Sequence, residues 1–495
     1  MKHILGVSAG FHDAAVSVVR EDGEIMFAGH SERYSKIKND PVLHPDLLEQ
    51  CCDYDFDTIA FYERPWMHNY QQWRSGQKIY GPWTTGHALK QHLGAWYQRP
   101  ARREVSYAHH LSHAAAGFQT SPFDTAAVVV IDAIGEMDTI SIYRAGYEAR
   151  TGRARYQRVW RQRYPHSIGL FYSAVTKAVG LKPMEEEYIT MGMAAYGNNL
   201  AAAALRDSVI QDITTAQFRQ NLHIGLDELQ FLDMAPEDLA ASAQTVTEDL
   251  VRAIMRRARR LTGEHNLVYM GGVALNCVAN ARLGDYFRSI WIMSNPGDAG
   301  SSLGAAALAH GGRLQWRDAF LGHNISGEYP VKALLDTLMS KGLVGVASGR
   351  AEFGPRALGN RSLLADPRGM HIKDQVNHIK RRQKFRPFAP VILEELVDDY
   401  FVMPRNWRDS AYMQTVAEVR RPDLYPAVSH VDRTARVQTV ARDGSGIRQL
   451  LQQWYQLTGC PMLLNTSLNI RGEPMVNDRA DADRFQTLYG VPVYS

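Results

Sequence analysis

Apolar and polar positions follow two spacings along this chain. Residues 3–8 are apolar and strand-like, Gly10-Phe11-His12-Asp13 turns, and 14–19 form a second strand. Glu21-Asp22-Gly23 reads as a hairpin turn into a third strand at 25–28. The plan recurs at Val128–Asp132, the turn Gly135-Glu136-Met137-Asp138 and Thr139–Tyr143. Two strand–acidic turn–strand units predict a duplicated α/β fold with nucleotide phosphates held between its halves. Helical spacing covers 167–180 and 244–262; the second segment opens at a capping Thr245 and ends in Arg256-Arg257-Ala258-Arg259-Arg260, as the helix dipole favours. Leu267–Met270 reads as a buried strand running into Gly271-Gly272-Val273-Ala274-Leu275-Asn276, where a ligand can approach the backbone. The pattern loosens around 310–330, and the domain boundary is placed there, giving units 1–325 and 326–495. A second α/β unit then starts with a helix at 331–341 and a strand at 342–348.

A chain of 495 residues exceeds one core, which agrees with two domains. The formal charge of +3 decides nothing about nucleic acid. Cys51, Cys52, Cys277 and Cys460 form no Cys-x-x-Cys, which argues against thiolate zinc sites and for a reduced, cytoplasmic setting. The opening Met1–Gly6 runs straight into a strand, without a signal-peptide pattern, and no uncharged apolar run approaches membrane length, so no membrane partner is expected.

The chemistry concentrates in two places. His109 and His113 stand four apart, on one face of a helix and close enough to share a metal. Asp132 ends an apolar run, and Asp298 sits in the turn Asn295–Gly300. Two His and two Asp suit iron(II), zinc or manganese better than calcium; a purely structural His pair is the alternative. Later, Arg356 and Arg361 lie in the Gly/Pro-bounded turn Gly354–Ser362, followed by Lys380-Arg381-Arg382-Gln383-Lys384-Phe385-Arg386. Fixed loops bearing Arg suit bidentate phosphate or carboxylate binding. The turn Asn465-Thr466-Ser467-Leu468-Asn469 adds small hydrogen-bonding groups. Two further patterns bear on the partner. Tyr70, Trp73, Tyr80, Trp83, Trp96 and Tyr97 interleave with Arg74, Lys78, Lys90 and Arg99, and Arg150, Arg153, Arg155, Arg158, Arg161 and Arg163 form a run. Aromatics that stack on bases beside phosphate-holding cations are one reading; core aromatics and a solvated strand face are the other.

Together these motifs resemble the O-carbamoyltransferases of nodulation-factor, cephamycin and tobramycin biosynthesis, in order and over nearly the whole chain: Gly10–Ala14, His109–His113, Asp132, Gly271–Asn276, Asn295–Gly300, Gly354–Ser362, Lys380–Pro390, His430–Val440 and Leu464–Val476. The resemblance implies an N-terminal duplicated actin-like (ribonuclease-H-like) ATPase fold and a C-terminal YrdC-like α/β domain. It implies that carbamoyl phosphate and ATP give carbamoyl-adenylate, whose carbamoyl group passes to an acceptor hydroxyl. His109, His113, Asp132 and Asp298 match the metal ligands, and His12 matches the general base. Arg356, Arg361, Lys380 and Arg386 match the carbamoyl-phosphate and ATP site; Lys380-x-Arg382 and Ser467-x-Asn469 match paired motifs of YrdC-like domains. Gly271, Gly272 and Asn276 are carried as nucleotide-binding. Ile189 stands where relatives often carry Lys, and Arg433 where they usually carry Gly. The implied acceptor is a small sugar or natural-product alcohol. A hydroxymethylated pyrimidine, in a nucleotide or in DNA, stays open, and the chain is compatible with a homodimer. A tRNA-modifying threonylcarbamoyl-type transferase, or a non-catalytic nucleotide-binding module, is the reading from another class.

Overall fold

A computed structural model describes residues 2–74, 78–79, 81–98, 101–226 and 234–495. The first sheet contains β1 (His3–Ser8), β2 (Ala15–Arg20), β3 (Ile25–His30), β4 (Phe56–Phe61) and β5 (Arg103–Ser106). Its order is β3-β2-β1-β4-β5, with β1–β2 and β2–β3 antiparallel and β1–β4 and β4–β5 parallel. The second sheet contains β6 (Thr125–Gly135), β7 (Asp138–Tyr147), β8 (Ala154–Arg163), β9 (Asn266–Met270) and β10 (Ser289–Trp291). It runs β8-β7-β6-β9-β10 with the same pattern of directions. The halves are thus two copies of one topology, the duplicated actin-like arrangement that the paired acidic turns anticipate.

Sequence and burial agree strand by strand. β6 carries an unbroken run Ala126–Ile131 because both of its faces are covered. Its cover on one side is α3 (His109–Thr120), which follows α1 (Pro65–Arg74) and α2 (Thr85–Leu93) in the chain. The long α4 (Pro236–Thr262) covers the other side with Val246, Leu250 and Ile254. It starts eight positions before the expected 244: Pro236 opens it, Glu237 and Asp238 occupy its first turn, and Gly263 at φ 72° ends it behind Arg259 and Arg260.

The last helix of each half lies on the sheet of the other. α3 packs on β6 and β9, with His110 Nδ1 2.8 Å from Ser141 Oγ of β7. α5 (Gly300–His310) packs on β1, β2 and β4, with Ser302 Oγ 2.8 Å from Ser17 Oγ. α3 and α5 also press on each other, so closely that a Cβ on Gly304 would stand 1.8 Å from the Ser112 carbonyl oxygen.

A third sheet follows: β11 (Leu343–Ala347), β12 (Arg361–Ala365), β13 (Ala389–Leu393), β14 (Gln438–Val440), β15 (Met462–Ser467) and β16 (Val493–Tyr494), in the order β14-β13-β15-β12-β11-β16. Helices Val331–Lys341 and Gly446–Thr458 complete its core. A separate two-stranded antiparallel ribbon pairs Phe320–Ile325 with Gly349–Glu352, across the helix and strand that lie between them in the chain. Among the described residues no helix is long and apolar enough to cross a membrane.

Candidate active site

His109 and His113 sit one turn apart on α3, Asp132 near the end of β6, and Asp298 in the turn that opens α5. All four are buried, and one ligand atom from each lies within 4.8 Å of every other. The two Nε2 atoms are 3.1 Å apart. From His109 they are 3.3 Å to Asp132 Oδ2 and 3.4 Å to Asp298 Oδ1; from His113, 3.2 and 3.1 Å. Metal bonds of about 2.1 Å at about 90–109° place neighbouring ligand atoms about 3.0–3.4 Å apart, so these spacings fit a first-row divalent ion.

The surroundings set the chemistry of those atoms. His113 Nδ1 donates to the Pro296 carbonyl at 3.1 Å, which leaves the Nε2 lone pair facing the cluster. On His109, Nδ1 lies 3.8 Å from Glu63 Oε2. Asp132 Oδ1 accepts from the backbone of Ala133 at 2.8 Å and Gly272 at 3.3 Å, so Oδ2 is the oxygen turned to the histidines. Burial lowers the His109 imidazole, but Asp298 and then Asp132 outweigh it and hold it well above its ordinary value. Burial raises Asp132, yet the two histidines outweigh that and hold its carboxyl well below the usual range. Imidazoles held this high beside carboxylates held this low mark a site where a cation can take the place of a proton.

His12 lies in the β1–β2 turn. Its Nδ1 is 3.0 Å from Asp13 Oδ2 and its Nε2 3.6 Å from Asp298 Oδ2. Burial lowers this imidazole, whereas Asp298 and Asp13 outweigh it and push it up to about 10.

One cavity of about 820 Å³ is lined both by His12, Asp132 and Asp298 and by the cations Arg356, Lys380, Arg382 and Arg386. Lys380 Nζ donates to the Ser467 carbonyl (2.5 Å) and Oγ (3.1 Å) and to the Asn469 carbonyl and Oδ1 (both 2.9 Å), which knots three expected residues together. Arg382 donates from Nε to Asn377 Oδ1 at 2.8 Å and lies over the Phe388 ring. Arg386 stacks 4.7 Å over Tyr188, and Arg356 makes no hydrogen bond or ion pair with another described residue. Burial lowers all four cations, and repulsion from one another and from nearby Arg436 and Arg471 lowers them further, the state an arriving polyanion relieves.

Some expectations change. Arg361 is fully buried and absent from the cavity wall; its guanidinium donates to the carbonyls of His323, Ser348, Gly349, Asn360 and Asn477 at 3.0–3.1 Å. It is a structural fastener rather than a ligand-facing group. Gly271 is likewise off the cavity wall: at φ +91° it lets β9 pass Ile131, whose carbonyl oxygen would stand 2.2 Å from a Cβ there. Gly272 lines the cavity and supports Asp132. Asn276 lines it too, but its amide caps the short helix behind it and pairs with Gln244. Ile189 is buried in the core, away from the cavity. Arg433 occupies a turn at φ +63°, where Gly is the easier residue. Tyr80 and Arg99 lie outside the described residues.

Sequence reading overlooked Glu63, Lys38, Tyr188 and Arg436. The last three line the cavity, and Arg436 Nε is buried without a hydrogen-bond partner among the described residues. Arg436 was findable, since it lies in the motif stretch His430–Val440.

Family models described as the carbamoyltransferase N-terminus and C-terminus match residues 77–307 and 335–492. The chain belongs to the carbamoyltransferase family. An uncharacterized Synechocystis protein is 33% identical over 98% of this chain and 94% of its own length. Nodulation protein NolNO of Sinorhizobium fredii is 31% identical over 95% of this carbamoyltransferase and 76% of its own length, and NolO of Bradyrhizobium diazoefficiens 32% over 76% and 75%. Among solved structures, (R)-2-hydroxyglutaryl-CoA dehydratase component A of Acidaminococcus fermentans aligns at a TM-score of 0.38 and 15% identity, covering 63% of this chain and 98% of that one. That likeness is too distant to add to what the strand order shows.

Proposed function

We propose that this carbamoyltransferase is an ATP-dependent O-carbamoyltransferase that works through carbamoyl-adenylate. The observation that carries the reading is one cavity that joins a cluster of cations, none paired with a carboxylate among the described residues, to a four-residue His/Asp cluster. In this reading residues 326–495 activate and residues 1–325 transfer.

Arg356, Lys380, Arg382 and Arg386 hold the phosphates of ATP and carbamoyl phosphate. Carbamoyl phosphate gives up phosphate to water, and the carbamate oxygen attacks the α-phosphorus of ATP, displacing pyrophosphate. The acceptor oxygen then attacks the carbamoyl carbon, the bond to the adenylate oxygen breaks, and AMP leaves. His12, oriented by Asp13, takes the acceptor proton, a contribution of about 10²–10⁴-fold for general bases. His109, His113, Asp132 and Asp298 would hold iron(II), zinc or manganese, which would supply positive charge beside the adenylate phosphate and offset the Asp298 charge that keeps His12 protonated.

A small sugar or natural-product alcohol and a hydroxymethylated pyrimidine both match this chemistry. The test is incubation with ATP, carbamoyl phosphate and iron(II) against a panel of sugars, aminoglycosides, hydroxymethyl nucleotides and hydroxymethylated DNA. A mass gain of about 43 Da on an acceptor, with AMP and pyrophosphate, is the expected result. ATP binding without pyrophosphate release would instead identify a non-catalytic nucleotide module.

A further inference from the structure

The segment between β4 and β5 leaves and rejoins the molecule beside the His12–metal cluster. It departs at Glu63, which contacts His109, and Arg64 then binds Glu136 through its backbone N–H and guanidinium. It returns along α2, where His92 stacks on Phe61 and lies against Gly10, two residues before His12. Between these tethers the segment displays aromatic rings. Trp66, Tyr70 and Trp73 lie on one stripe of α1 at i, i+4 and i+7, and are 44%, 41% and 64% exposed. Tyr70 and Trp73 are 5.9 Å apart, and Asn69 ties α1 to the Gly81 and Pro82 carbonyls, next to Trp83, itself 53% exposed. Water-facing Trp and Tyr in this density are not core.

Cations border the rings. Arg64 lies 5.5 Å over Trp66. Two residues beyond Glu136, Asp138 meets Arg158 at 3.0 Å, Arg161 at 3.7 Å and Arg163 at 3.8 Å. Those three arginines stand on the edge strand β8 and share the single carboxylate of Asp138 on β7, at the end of the sheet that bears Asp132. Half of the sequence run, Arg158, Arg161 and Arg163, thus forms a positive border beside the aromatic platform, while Arg155 pairs with Glu148.

We infer that this surface binds a single-stranded polynucleotide, whose bases stack on the α1 aromatics and whose phosphates meet Arg158, Arg161 and Arg163, so that a hydroxyl on one base reaches His12. Stacking on aromatic faces tolerates any base, and arginines contribute a salt-dependent, sequence-independent hold. An uncharged sugar would use the rings and leave the arginine border idle, which is why charge favours the polynucleotide. The inference rests on the O-carbamoyl-transfer reading for its chemistry, but not for its binding.

The probe is a short fluorescent single-stranded DNA with one hydroxymethylated pyrimidine, titrated by anisotropy without ATP. Binding should weaken steeply with salt. Trp66→Ala with Trp73→Ala should weaken it by about thirtyfold or more, two stacking rings being lost, while Trp73→Phe should retain it. Arg158→Ala with Arg161→Ala should flatten the logarithmic salt slope by about 0.7 per lost contact. Pyrophosphate release from ATP and carbamoyl phosphate should be unchanged in all of these variants. The inference is overturned if the strand does not bind at about 50 mM salt, or if neither double variant alters its binding. Pyrophosphate release without strand binding would remove this surface and keep the activation reading. Strand binding without pyrophosphate release would do the opposite.

Discussion

At Glu352 a single carboxylate oxygen accepts three backbone N–H groups, from Leu358, Asn360 and Arg361, at 2.8–3.1 Å. Those donors belong to the loop that carries Arg356, so Glu352 governs where that guanidinium sits. Glu352→Ala leaves buried donors without an acceptor and should lower stability by about 3 kcal/mol in urea denaturation, with a raised KM for carbamoyl phosphate. Arg386→Ala should abolish pyrophosphate release yet spare transfer from supplied carbamoyl-adenylate, and His109→Ala should do the reverse; loss of both activities in either variant would end the two-site assignment. The pH response follows from Lys380, which burial, Arg382 and Arg386 lower well below the ordinary lysine value. A bound phosphate raises it again, so the complex holds more protons than the free protein, and affinity must fall as pH climbs through that interval. KM for carbamoyl phosphate, followed as a pH profile, should therefore increase with pH across the interval in which Lys380 titrates. Residue roles were only partly legible in the sequence. Arg356 and Arg361 read alike as loop arginines, but one faces the cavity and the other is consumed by five carbonyls, a difference set by segments as far off as His323 and Asn477.

Elements were read more reliably than roles. β1, β3 and the helix at Val331–Lys341 begin where their spacing places them, because local alternation and turn residues decide such short pieces. The start of α4 was missed because its first turns carry mixed apolar and polar residues, so its signal was the capping pattern at Pro236 rather than periodicity. Helix contact makes a sharper claim. Gly304 lets α5 approach the backbone of α3 at Ser112, one residue before His113. Gly304→Ala should push α3 and α5 apart, lower the melting temperature, and reduce metal content measured by elemental analysis, at a cost of about 1–3 kcal/mol for overpacking. Retained metal with full stability would mean that the helices relax without moving the ligands.

For the whole molecule, the decisive fact is that groups more than two hundred residues apart share one cavity. No local pattern announces that Asp132 and Arg386 line the same wall, although each was readable alone. A shared cavity predicts retention of the activated intermediate. Labelled carbamoyl phosphate should yield labelled product even when unlabelled carbamoyl-adenylate is present in solution, and dilution of the label would show escape. The crossing of α3 and α5 leads further. Two copies of one topology, each lending its final helix to the other, have the form of a domain-swapped dimer whose subunits have been joined end to end. The histidines ride on one lent helix and Asp298 stands at the root of the other, while Asp132 belongs to the sheet that receives the first. Neither copy alone carries all four of these side chains, so a protein severed between the copies should regain activity only when both fragments are mixed.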